Sequence, residues 1–202
     1  GLAVMTGALL MPGITLASTA ANTTITNTVT GNFDDAAGNP QTAVSDTVDL
    51  TVNLVASAPL ISTPADIDPT TEGATETLSY DVTATSNGPD TYDLNSSSTD
   101  SNISAPSFNT PVSVTLGATT VASAVSASDT TITVPFDSTD DSEINGIASG
   151  DTIVLDPGGP NEEVATVSAV NDNTGSNAAE ITVSAGLTNS HAVGVIIGER
   201  AQ

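Results

Sequence analysis

The chain has 202 residues with 24 Asp and Glu against a single Arg, no Lys and one His, for a formal charge of −23. Such a surface has nothing to neutralise phosphates, which excludes nucleic acid and anionic membranes as partners. The lack of Cys excludes disulfides and thiolate metal sites. With three Phe, two Tyr and no Trp, any core is built from Val, Ile, Leu and Ala. A chain rich in Thr, Ser, Val and Asp favours strands and turns over helices, so the expected fold class is all-β.

Residues 1–18 are uncharged and apolar in this acidic chain. As an extended strand they present Leu2, Val4, Ala8 and Leu10 on one side and Ala3, Met5, Leu9 and Met11 on the other, a pattern expected only where protein covers both faces. Gly7, Pro12 and Gly13 oppose a helix. Three readings compete. The stretch resembles the apolar region of a secretory signal, with small residues Ala17 to Ala21 as a cleavage site, but it has no basic residues before it and is expected to be retained. A membrane anchor needs roughly 20 apolar residues, and Pro12-Gly13 interrupts this one. The third reading is a donor strand inserted into a neighbouring subunit, with Leu2, Val4, Met5, Ala8, Leu9, Leu10, Met11, Ile14 and Leu16 at the interface. The donor strand is the reading adopted.

Thr23 to Gly31 alternates, with Ile25 and Val29 separated by polar residues. After a loop at 32–41, Thr42 to Ala56 alternates again, with Val44, Val48, Leu50, Val52 and Leu54 expected inward and Asp46 breaking that row. These two runs predict a β-hairpin. Pro59 and Pro64 punctuate an irregular or edge segment. Strands are then expected at 75–86, with Leu78, Tyr80, Val82 and Ala84 on one face, at 91–95 and at 112–116, the first two joined by an Asn87-Gly88-Pro89 turn. Gly117 to Thr120 is expected to be a short linker. Further strands are predicted at 130–135, 152–155, 163–170, 180–184 and 192–197. The organisation expected is an apolar segment at 1–18, a β-sandwich at 19–118 and a small β-barrel-like domain at 119–202.

The stretches ITNTVTGNFDDAAGNPQTAVSDTVDLTV and ETLSYDVTATSNGPDTYDL resemble the Ig-like repeat of prokaryotic surface proteins, which often carries a turn like SNGPDTYDL between strands. The similarity covers about 22–118 and implies a sandwich whose strand order here leaves a groove for a donated strand. The order DTTITV, IASGDTIVL, EEVATVSAV and ITVSAGLTNSHAVG is similar to a small β module of exported and phage structural proteins, which implies a structural role.

Little in the chain can carry catalysis. His191 is the only group of ordinary pKa near neutrality, and no Gly-x-Ser-x-Gly elbow accompanies it. It is expected to be a turn or capping residue, and the chain is not expected to be an enzyme. No cofactor is expected, although calcium is a candidate at Asp137, Asp140, Asp141 and Glu143, whose hard oxygens cluster without EF-hand spacing. Asn22, Asn95 and Asn102 match the N-glycosylation pattern. The function expected is that of a structural subunit of an extracellular filament or pilus at the cell surface. Its partners are copies of itself, joined head to tail, with a membrane involved only during export. The alternative is a surface-layer or adhesin module binding a glycan or another cell.

Overall fold

Alternation of Thr with aliphatic residues produces the first two strands, β1 (Thr24–Gly31) and β2 (Val44–Thr51), antiparallel and in unbroken register from Thr24↔Thr51 to Gly31↔Val44. In the computed structural model, the described residues are 19–62, 73, 75, 77–97, 113–137, 142–172 and 178–202. At the far end of this hairpin the Asp35 carboxylate accepts hydrogen bonds from the backbone N–H groups of Ala37 and Asn39 and from Asn39 Nδ2. That bonding closes the loop as an Asx turn.

The molecule is all-β, with no helix among the described residues. Two short strands, β3 (Leu60–Ile61) and β4 (Val82–Thr83), pair with each other. A separate hairpin joins β5 (Asp90–Asp93) to β6 (Ser113–Leu116). The second half supplies β7 (Ala118–Thr120), β8 (Thr131–Pro135), β9 (Glu143–Ile144), β10 (Ile147–Ala148), β11 (Thr152–Leu155), β12 (Glu163–Asn171), β13 (Ala178–Val183) and β14 (Ile196–Ala201). Strands pair in the order β3-β4-β14-β11-β12-β13-β8, and β7 also pairs with β14. Just beyond β7, the N–H of Ala122 donates to the carbonyl of Thr133 in β8 (2.8 Å). Strands β14, β11, β12, β13, β8 and β7 thereby form a closed ring, which leaves few open edges.

Inside the ring sits the main core. Ile132, Val134, Ile153, Leu155, Ile181 and Ile197 are fully buried there, joined by Ile144 and Ile147 of the β9–β10 hairpin. The turn of that hairpin is Asn145-Gly146, with φ of 49° and 82°, the positive pair that a two-residue type I′ turn requires. A smaller cluster of Val82, Ala84, Tyr92, Leu116 and Ala118 lies beside it. Where β14 passes Ala84, a side chain on Gly198 would fall 1.9 Å from the Ala84 carbonyl oxygen, so glycine allows the two backbones to meet.

Several expectations need correction. The aliphatic row Val44, Val48 and Leu50 faces solvent, as do Ile25 and Val29, because no described layer lies opposite the ribbon they belong to. Among the described residues between 75 and 86 only Val82 and Thr83 are strand; Leu78 and Tyr80 stand exposed in irregular backbone. The expected linker is in part a buried strand, with Ala118, Thr119 and Thr120 all at 1% exposure or less. Pairing of β4 with β14 carries the ladder from residue 83 to residue 200, across the expected boundary at 118. The last strand begins four residues later than predicted, because Gly194 at φ 83° turns the chain within 192–195.

Candidate assembly surface

The root of the ribbon is organised by one side chain. Asn87 is 4% exposed and lies in the Asn-Gly-Pro turn between β4 and β5. Its Oδ1 accepts from the N–H of Val55 (2.7 Å), and its Nδ2 donates to the carbonyls of Thr19 (2.8 Å) and Asn53 (3.3 Å). Its backbone carbonyl accepts from the N–H of Ala21 (2.7 Å). A side-chain amide carries two N–H donors and a separate carbonyl acceptor, so it can serve several backbone groups at once. Asn87 therefore ties three segments together: residues 19–21, the exit of β2 and its own turn. Ala20 and Ala21 are 0% and 3% exposed. A Cβ on Gly88 would come within 2.6 Å of the Ala21 Cβ, so the small residues on both sides are needed for this contact. The chain then turns at Asn22 (φ 64°) into β1. Residues 1–18, with the nine expected interface residues, lie outside the described residues.

The two faces of the ribbon differ in chemistry. Residues opposite each other across an antiparallel pair share a face, so Ile25, Leu50, Val48, Val29 and Val44 form one face, interrupted by Asn27 and Asp46. The other face holds the Thr residues of β1 against Ser45, Thr47, Asp49 and Thr51, with Thr26 Oγ1 donating to Asp49 (2.6 Å) and Thr28 hydrogen-bonded to Thr47. Every residue of both strands is exposed, and on the apolar face the exposures run from 45% at Ile25 to 74% at Val29. No third described strand pairs with β1 or β2. A two-stranded ribbon alone in water is marginally stable at best. A second exposed apolar group, Leu60, Ile61, Leu78 and Tyr80, lies on the segments around β3 and β4.

The other predicted residues are scattered. Asp137 is buried and accepts a hydrogen bond from the backbone N–H of Asn145, Glu143 is exposed at the start of β9, and Asp140 and Asp141 lie outside the described residues. Among the described residues no group of three or more His, Asp and Glu is placed to hold a metal ion. Asn22 and Asn95 are exposed, and Asn102 lies outside the described residues. His191 is buried, bridges Val125 through backbone pairing, and places Nε2 3.4 Å from Glu163 Oε2. Burial acts to raise the Glu163 pKa, but hydrogen bonds from the N–H groups of Thr188 and Asn189 and from His191 outweigh it and hold the carboxyl below its ordinary value. This cluster pins the 187–191 loop to β12. Among the described residues no helix is long and apolar enough to cross a membrane.

Asn87 was the residue that sequence reasoning passed over. Its Asn-Gly-Pro-Asp setting marks a turn, but the partners of its amide lie 32 to 68 residues away in the chain. Comparison with protein-family models, with curated proteins and with solved structures finds no match.

Proposed function

We propose that this protein is a structural subunit of an extracellular filament, polymerising when the apolar stretch at 1–18 of one subunit inserts into the β-rich first half of the next. The observation that carries this reading is the exposed aliphatic face of the β1–β2 ribbon, an alternating pattern with no facing layer among the described residues. The resemblance of 22–118 to Ig-like surface repeats supports it further. A donor and an acceptor at different places on one subunit make a heterologous contact, which propagates into an open fibre. Burying about ten apolar side chains at ~1.5–3 kcal/mol each gives of order 15–30 kcal/mol gross, before ordering costs. The acidic surface would hold mature fibres apart, or let divalent cations bundle them. No catalytic step belongs to this reading.

Electron microscopy of the full chain beside a chain lacking residues 1–18 tests it. Fibres from the first and monomers from the second are expected. Fibres from both, or from neither, would remove the role assigned to residues 1–18.

A further inference from the structure

We infer that the apolar face of the β1–β2 ribbon is the receiving surface, and that residues 2–16 of a second copy pack on it. This rests on the filament reading and specifies its acceptor. Ile25, Val29, Val44, Val48 and Leu50 form an aliphatic row on one face of the eight registered pairs, broken at Asn27 and Asp46. At about 3.3 Å per residue the row is roughly 25 Å long, close to the reach of eight to ten residues in an extended segment.

Charge selects the occupant. Every copy carries −23, so two copies brought together face to face repel one another. Residues 1–18 contain no Asp, Glu, Lys or Arg, and this stretch can approach an acidic neighbour without adding like charge. Asp46, the one carboxylate on the receiving face, lies between Val44 and Val48 and opposite Val29, where it would repel an acidic segment more than a neutral one.

Burial selects where the occupant comes from. Among the described residues nothing covers the face, with Val44 66% and Val48 60% exposed, and a second copy is the cover inferred. The Asn87 clamp holds residues 19–21 at the ribbon root, so the point from which the donor departs is fixed in each subunit.

Full-length variants separate the two roles. Val48→Asp and, independently, Val29→Asp place a carboxylate in the acceptor; Leu9→Asp with Leu10→Asp spoils both faces of the donor. Val48 and Val29 are both exposed, and unchanged far-ultraviolet circular dichroism checks the fold of every variant. A carboxylate cannot enter an apolar contact without a partner, so pelletable fibre is expected to fall roughly tenfold or more in each variant. Mixing Val48→Asp with the donor variant joins one intact donor to one intact acceptor, and light scattering should read a complex of twice the monomer mass. If both acceptor variants form fibres like the parent while the donor variant does not, the ribbon is not the acceptor and the filament reading stands. If the donor variant itself forms fibres, the filament reading falls, and this inference with it. If the variants are monomeric alone and also when mixed, the second-copy occupant is overturned.

Discussion

Asn87 shows how much one polar side chain can organise when the apolar material around it is thin. Residues 19–21 and 53–55 have no core of their own, and the amide bonds of Asn87 hold them together. Asn87→Ala leaves the Val55 N–H and the Thr19 carbonyl without their partner, which costs about 1–3 kcal/mol where such groups stay buried. Hydrogen exchange should accelerate at the amides of Ala21 and Val55 while the barrel amides keep their protection; uniform exchange across the molecule would refute this. Glu199 offers a second test. Burial raises its pKa, the N–H of Gly117 opposes that shift, and the charge of Asp151 adds to it. A carboxyl raised in the folded state stabilises the fold only while protonated. Its contribution is present below the ordinary glutamate value of 4.5 and is lost as pH rises through the folded value. Glu199→Gln keeps an oxygen for the Gly117 N–H and removes the partly buried charge. It should stabilise the protein near neutral pH, by less than about 1 kcal/mol because the group is only partly buried, and the difference should vanish in acid. Denaturant midpoints at the two pH values measure both.

Among the elements, those with strong alternation and clear turn residues were legible. The β1–β2 hairpin and the strands at 131–135, 152–155 and 163–171 lie where Val, Ile and Thr alternate between Gly, Asn and Asp. The β9–β10 hairpin went unread although Asn145-Gly146 between Ile144 and Ile147 is a type I′ signal, because each strand is only two residues long. Gly117 to Thr120 reads as a linker by composition. Its small residues instead let β7 pack close to the β9–β10 turn, where a Cβ on Gly117 would fall 2.6 Å from Gly146. Alternation also says which residues share a face, but not whether anything covers that face. The row Val44, Val48 and Leu50 was read correctly as one face and wrongly as inward, since covering it depends on contacts outside the strand.

At the scale of the whole molecule, stability is uneven. The barrel-like ring holds the larger core, while the first half exposes the aliphatic residues it would need for one. Charge adds to the strain: two dozen carboxylates face one guanidinium, so self-repulsion opposes the folded state. Salt screens such repulsion, with a Debye length of about 30 Å at 0.01 M and about 8 Å at 0.15 M. The melting temperature should therefore rise as sodium chloride is added, and a flat or falling trend would show that pairwise contacts outweigh the overall field. The lone guanidinium has another consequence. Arg200 lies in β14, paired with Thr152 on one side and Thr83 on the other, and its side chain reaches Thr83 Oγ1 and Asp81. Proteases that cut after basic residues find only the Arg200–Ala201 bond in these 202 residues. Cleavage there separates Ala201 and Gln202 from the rest and leaves the ring, the ribbon and the apolar stretch on one piece of chain. Digestion by such enzymes is blunted by the sequence itself, whether the chain is folded or unfolded.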